Sequence, residues 1–559
     1  MNLELFLKVY ENREMEEFFH FINKNAYNFY GDYVTEMLEG VVGNLKITSP
    51  TYIIAPTGCG KNCFIEWFVK NQFKERFLLL SNRVALNRQL KIRMIKNLGE
   101  DHFLQELTDE GIDKLETIKN VTIKTYHKFY LDALKKDELN MFDFVICDEV
   151  HFLDADSTFV PYTGEILKKI TSMRNARRIY MTATPNYIFN TILIEEEKKF
   201  KNSLNYVIGQ VNQINAFNPT CYELKKDTGL VEDVKFFQQF DCILKKIEKS
   251  DEKWLIFIDS IYKGETICQM LSKMGKNSAL ITADTKNKKE GIEYIEYEKI
   301  LKKEFFDADI VIATKTMECG ISIKIKNLKN IVINDIDFTS FMQKIGRKRK
   351  LAPNDKIKLF VKIPSLNEIN KKLYDCGEQM RKMYVIEKMD KISMEQFINS
   401  GDFYLNKNIC FIKDGQLQTN ELAWIKLKRD QQFYEMLKDS INCNPLNPAI
   451  LVLHWLYPNK KEIIFNQYDL VIDLQESEDN KKKIQDFLDE YIDKTLKGTD
   501  IDVFKEKFKT LYLTYFKNEN ERKISRSFGK NIISKIMREL ELPYRIYGNA
   551  KQWSIFKED

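Results

Sequence analysis

The sequence predicts an α/β chain of several domains: two tandem units built on parallel sheets, a mainly helical extension, and a small C-terminal domain. Three observations predict it. Short apolar runs alternate with charged stretches of helical period, and this alternation occurs twice, over residues 52–181 and again over 254–361. Beyond about residue 366 the strand pattern fades and helical periodicity takes over. At 559 residues the chain is also too long for one core, so three or four domains are expected.

In chain order, residues 1–45 read as a helical segment with Phe18, Phe19 and Ile22 on one face. The first unit, 46–205, has strands at 52–54, 77–80, 121–123, 144–147 and 179–181. A polar linker near 196–217 leads to the second unit, 206–365, with strands at 254–258, 279–282, 310–313, 331–333 and 358–361. Residues 366–500 form a mainly helical accessory region, in which 476–497 reads as an exposed helix pair. The segment 501–559 starts with a helix over 502–516. A second helix, capped by Ser527, runs to about Leu540 and is stopped by Pro543. A hairpin of 544–547 with 552–556 then turns through Gly548 and Asn549. Helices followed by a two-stranded wing resemble a winged-helix DNA-binding module, in which Trp553 is read as a buried anchor in preference to a ring that stacks on a base.

Composition excludes other classes. Hydrophobic residues at 44% and charged residues at 30% describe a soluble globular chain. The longest apolar runs, such as 450–453, are far shorter than a membrane span. Glu4, Glu11 and Glu14 stand where a secretory signal would be cationic and then apolar, so a cytoplasmic location is expected. Ten cysteines without a CxxC pair read as small hydrophobes and imply no structural metal. The net charge is only +5, yet residues 501–559 hold 13 Lys/Arg against 8 Asp/Glu, the equivalent of the whole excess.

The chemistry starts at residues 55–62, APTGCGKN, directly after an apolar strand and before a helix. A tight glycine turn ending in lysine wraps a β-phosphate in backbone N–H groups, and Lys61 reaches the β/γ oxygens. The helix N-terminus adds a favourable dipole. Pro56, Thr57, Gly58, Cys59, Gly60, Lys61 and Asn62 are therefore the expected nucleotide-binding residues. Asn62 stands where such loops carry serine or threonine for magnesium, and its amide oxygen is a weaker ligand for the ion or its water. A second apolar strand ends in DEVH, residues 148–151. There Asp148 is placed to hold hydrated Mg²⁺ and Glu149 to orient and deprotonate an attacking water.

Together with further motifs in the same order, these residues resemble the superfamily 2 helicases of the DExH branch, over residues 46–365. SNRVALNRQ (81–89) looks like motif Ia and TYH (125–127) like the next motif that touches the nucleic-acid backbone. TATP (182–185) is similar to motif III, which links ATP state to nucleic-acid binding, and FIDS (257–260) to motif IV. IATKTMECGISI (312–323) looks like motif V, and QKIGRKRK (343–350) like motif VI, the source of arginine fingers. The resemblance implies two RecA-like domains with ATP, and its Mg²⁺, in the cleft between them. Lys61, Asp148 and Glu149 would act from the first domain, and Gln343, Arg347 and Arg349 from the second. Arg349 is favoured over Lys350 as second finger, because lysine is a poorer bidentate partner for phosphate. His151 is implied to couple the two domains. Arg83, Thr125, Thr314 and Lys315 are the implied nucleic-acid path, a grip that is sequence-independent and salt-sensitive.

The implied function is an ATP-dependent helicase or translocase acting on DNA in preference to RNA, with protein partners in a replication, repair or defence complex. Two alternatives stay open. One is a double-strand translocase or motor subunit of a restriction or defence complex, without strand separation. The other is an ATP-gated clamp or scaffold whose turnover is negligible because of Asn62.

Overall fold

Short apolar runs of two to seven residues, too short for most helices and many of them β-branched or aromatic, pair side by side into two sheets that are parallel but for one edge pair. The structure, a computed structural model, describes residues 17–22, 25–82, 84–133, 141–185, 187–204, 217–226, 229–288, 290–317, 321–413, 415–457, 471–515, 528–540, 542–549 and 551–557. Among them the first sheet holds β1 (Ala26–Tyr30), β2 (Thr51–Ile54), β3 (Phe77–Ser81), β4 (Thr117–Ile118), β5 (Val121–Thr125), β6 (Phe144–Cys147), β7 (Arg177–Thr182) and β8 (Thr220–Lys225). Their order is β1-β8-β2-β7-β6-β3-β5-β4, and every pair is parallel except β4 with β5. Strands β2, β3 and β6 are buried along their whole length, as expected where helices cover both faces. Strand β7 separates β2 from β6, so its end at Thr182 stands between the phosphate loop and the DEVH loop.

This sheet reaches beyond 46–205 at both ends. Strand β1, inside the expected helical segment, pairs with β8 from Ala26↔Cys221 to Tyr30↔Lys225. Its sequence, AYNFY, is aromatic and suits a pleated edge. The expected polar linker overlaps a helix, Ile188–Leu204, and its residues 205–216 lie outside the described ones.

The second sheet holds β9 (Val231–Phe237), β10 (Lys253–Phe257), β11 (Ser278–Ile281), β12 (Ile310–Ala313), β13 (Leu328–Ile333) and β14 (Ile357–Lys362), in the order β11-β12-β10-β13-β14-β9, all parallel. The two units are tandem α/β domains built on parallel sheets.

The helical region carries the helices Leu366–Glu387, Glu421–Cys443 and Asn447–Leu456, with a small hairpin of β15 (Cys410–Lys413) and β16 (Gln416–Thr419). Ser365 and Glu368 form a reciprocal capping box that starts the first of these helices. The helix Glu421–Cys443 is embedded in two cores. Leu422 packs into that of the first unit, and Phe433, Leu437 and Ile441 into that of the second.

In the C-terminal part, 476–497 is not an exposed helix pair. It is one helix, Leu474–Asp489, followed by strand β17 (Thr495–Lys497). Ile484, Phe487 and Leu488 are buried with Phe504, Phe508, Ile533 and Ile555, so this core begins well before residue 501. Strand β17 pairs with β19 (Gln552–Lys557), which pairs with β18 (Tyr544–Asn549), all antiparallel. The hairpin runs past the expected turn, since Gly548 and Asn549 pair with Trp553 and Gln552. Gly548 has φ +124°, and a Cβ there would stand 2.0 Å from the Gln552 carbonyl oxygen, so glycine serves the strand rather than the turn. The described second helix is Lys530–Glu539, and Ser527 lies outside the described residues. Trp553 is buried. No helix of the described residues is long and apolar enough to cross a membrane.

Candidate nucleotide cleft and nucleic-acid interface

After β2 the chain turns through Gly58 and Gly60, at φ +92° and +76°, into the helix Lys61–Asn71. Both angles lie in the left-handed region that glycine enters without strain. Lys61 is buried, its Nζ donates to the Ala55 carbonyl at 3.1 Å, and it lies 4.0 Å from Glu149 Oε1. Asn62 sits half-buried in the first turn of the same helix. Cys59 packs into the core, where burial pushes its thiol up.

Asp148, Glu149 and His151 are all buried at the end of β6. Glu149 adopts φ +49°, a strained conformation for a side chain other than glycine. Its N–H donates to Asp148 Oδ1 at 3.0 Å, and Tyr126 donates its hydroxyl to the Asp148 carbonyl at 2.9 Å. His151 Nδ1 lies 3.0 Å from Thr182 Oγ1 and 3.3 Å from Glu149 Oε2. One imidazole thus joins the DEVH and TATP segments. Burial and the adjacent Glu149 carboxylate push Asp148 up to about 7. Burial opposes the charge on Glu149 as well, but Lys61 and His151 hold it well below the usual carboxylate range.

The second unit closes directly on this loop. A Cβ on Gly346 would stand 2.8 Å from Thr57, and one on Gly58 would stand 2.9 Å from Arg349 Nη1. Arg349 Nε donates to Ser322 Oγ at 2.9 Å, and burial, with Arg347 beside it, pulls the guanidinium down to about 10. Lys350 faces away, its Nζ donating to the Gly229 carbonyl at 3.4 Å. Arg347 is 2% exposed and donates to the Gln343 carbonyl (2.7 Å), Gln343 Oε1 (2.8 Å) and the Ile321 carbonyl (2.9 Å). Its charge helps hold Glu149 ionised. Gln343 Nε2 is buried with no hydrogen-bond partner among the described residues. Lys61, Asp148, Glu149, His151, Gln343, Arg347 and Arg349 thus gather around one cleft.

The expected nucleic-acid residues do not gather in the same way. Thr125 Oγ1 accepts from Lys128 N at 3.1 Å and caps the helix Tyr126–Ala133, and Thr314 Oγ1 lies 3.3 Å from Thr316 Oγ1. Lys315 is exposed, with Nζ 5.0 Å over the Phe159 ring. It lines a cavity of about 280 Å³ where the two units and the helical region meet, together with Asn82, His151, Gln343, Lys372 and Arg429. Arg83 lies outside the described residues.

The structure adds residues that no local motif announces. Tyr33 Cδ1 would lie 3.3 Å from a Cβ on Gly60, and Val34 N donates to the Cys59 carbonyl at 3.0 Å, so the N-terminal segment braces the phosphate loop. Asp154, in the short helix Phe152–Ala155 after the DEVH box, takes both Nη atoms of Arg429 at 3.1 and 2.7 Å. The Asn420 amide donates to the carbonyls of Ser157 (2.8 Å) and Val160 (3.1 Å) and to Thr163 Oγ1 (2.9 Å), and accepts from Gly164 N (3.2 Å).

Residues 28–187 match the family described as type III restriction enzyme, res subunit. Solved structures similar to this chain include the Escherichia coli DEAH/RHA helicase HrpB, at 15% identity and a TM-score of 0.39, over 59% of this chain and 42% of that one. Another is the Mycobacterium smegmatis helicase Lhr bound to ssDNA and AMP-PNP, at 12% identity and 0.41, over 71% and 59%. A third is a variant of S. cerevisiae Dbp5 bound to RNA and ADP BeF3, at 12% identity and 0.38, over 71% and 98%. This chain spans less than two thirds of the first two. No curated protein matches it.

Proposed function

We propose, from the match of residues 28–187 to the family of type III restriction enzyme res subunits and from the order of the motifs between residues 46 and 365, that this chain is a nucleic-acid-stimulated ATPase that couples hydrolysis to movement along DNA. The observation that carries the proposal is Arg349 of the second unit lying over Gly58 of the phosphate loop, opposite Lys61 and Glu149. Lys61 and the loop amides bind the phosphates, and Glu149, held ionised, takes a proton from water. Arg347 and Arg349 neutralise charge developing on the γ-phosphate. The oxygens of Asp148 and Asn62 suit a hard cation such as Mg²⁺, which would supply charge neutralisation at the phosphates. Because the arginines come from the opposite unit, hydrolysis requires closure. A nucleic acid held by both units, with Lys315 in its path, is then gripped differently in each nucleotide state.

DNA is favoured over RNA by the C-terminal order of helix, strand, helix, helix and hairpin, which supports the winged-helix reading. A cytoplasmic location and partners in a replication, repair or defence complex belong to the same proposal. The matched family, a restriction-enzyme subunit by name, favours a second reading, a duplex translocase or motor subunit without strand separation.

ATPase rates with single-stranded DNA, duplex DNA and RNA test the proposal. Stimulation is expected, and Lys61→Ala and Glu149→Gln should each abolish turnover with the melting temperature kept. Stimulated turnover without displacement of a labelled strand selects the duplex translocase. Absence of stimulation by any nucleic acid sinks both motors and leaves an ATP-gated clamp, which Asn62→Ser would then awaken.

A further inference from the structure

The C-terminal sheet has two faces, and only one of them belongs to a core. In antiparallel strands, paired residues share a face and successive residues alternate. Leu496, Tyr544, Ile546, Trp553 and Ile555 point inward and are buried against the helices Leu474–Asp489 and Thr499–Tyr515. The register then puts on the other face the pairs Arg545↔Phe556, Tyr547↔Ser554, Asn549↔Gln552, Thr495↔Ser554 and Lys497↔Gln552.

That outer face carries two aromatic rings, an arginine, a lysine and neutral polar side chains, and none of these residues is a carboxylate. Tyr547 is 55% exposed and Phe556 44%, with ring centroids 5.6 Å apart at 70°. Lys530, at the start of the helix Lys530–Glu539, donates from Nζ to the Gly548 carbonyl at 2.6 Å, which adds a cation at the edge of the same hairpin. The surrounding chain from residue 501 onward holds 13 Lys/Arg against 8 Asp/Glu.

We propose that this face is a second nucleic-acid site, a stacking platform for single-stranded nucleic acid. The proposal rests on the nucleic-acid reading above and adds a binding surface remote in sequence from the motor. Half-exposed aromatic rings among cations fit unpaired bases, which offer a flat π-face to stack and a phosphate backbone to neutralise. A duplex hides those faces inside its own stack, so this face selects single strands. Stacking does not depend on base identity, and the platform is therefore indifferent to sequence. An acidic protein segment would meet the cations but gain little from the rings.

The test uses the full chain without nucleotide and a fluorescent oligo(dT), an oligo(U) and a blunt duplex, followed by anisotropy. Tyr547→Ala and Phe556→Ala are each expected to weaken single-strand binding by about tenfold. Tyr547→Trp should retain it, and Lys497→Ala should lower the salt slope by about one. Both rings are exposed, so melting temperatures of these variants should stay at the wild-type value. Wild-type binding with an undiminished double alanine variant overturns the platform alone, and equal losses on duplex and single strand overturn its selectivity. A wild-type chain that binds no oligonucleotide fails the nucleic-acid reading and the platform together. Unchanged oligonucleotide binding with loss of a co-purifying protein would make the face a protein dock, and would also overturn the proposal.

Discussion

Gly58 illustrates how tightly single residues are constrained at the cleft. Its φ of +92° strains any other residue, and an added methyl would stand 2.9 Å from Arg349 Nη1. Gly58→Ala is expected to distort the phosphate loop and displace the arginine together. Turnover in steady-state ATPase assays should fall by at least tenfold, roughly the effect of 1.4 kcal/mol on the barrier. At this scale much was legible in the sequence. Lys61, Asp148 and Glu149 sit in short motifs whose spacing sets their positions in the fold, whereas the role of Arg349 over Lys350 as second finger is a proposal that rests on the planar fork of guanidinium. Tyr33 was not legible, because its place beside Gly60 depends on neighbours brought in by β1 and β8, which are almost two hundred residues apart in sequence.

Among the elements, the helix Glu421–Cys443 has the most far-reaching contacts. Its periodicity announces a helix, but its docking joins residues 275 positions apart, such as Arg429 and Asp154, for which sequence holds no local sign. The same holds for β17, whose three residues are too few to show an alternation. Burial disfavours the charge on Asp154, and Arg429 beside it holds the carboxyl below its ordinary value. Arg429→Ala leaves that carboxylate unpaired, and destabilisation of about 3 kcal/mol is expected in chemical denaturation. A depressed folded-state pKa contributes stability that is complete above the unfolded value near pH 4 and is lost as pH falls through the depressed value. Melting temperatures of the wild type should therefore drop more steeply below about pH 4 than those of Asp154→Asn, in which nothing titrates at this position.

For the whole molecule, the twofold recurrence of strand and helix was enough to show two tandem units, but not where they end. The boundaries are set by strands recruited from outside the recurrent pattern: β1 and β8 at one rim of the first sheet, and β9 in the second. The C-terminal boundary moved for a related reason. Ile484, Phe487 and Leu488 join a core whose other members lie at up to residue 555.

The helix that is buried in both units also decides how the protein can be cut. A chain ended after residue 365 would keep every recognisable motif, yet it would expose the apolar seats of Leu422 on one unit and of Phe433, Leu437 and Ile441 on the other. Such a fragment is expected to aggregate on expression, while the full chain unfolds in a single calorimetric transition spanning both units. A soluble, monodisperse 1–365 fragment on gel filtration would contradict this. The smallest stable unit is therefore larger than the stretch that holds the motifs, and trimming the chain to that signature would discard part of the scaffold.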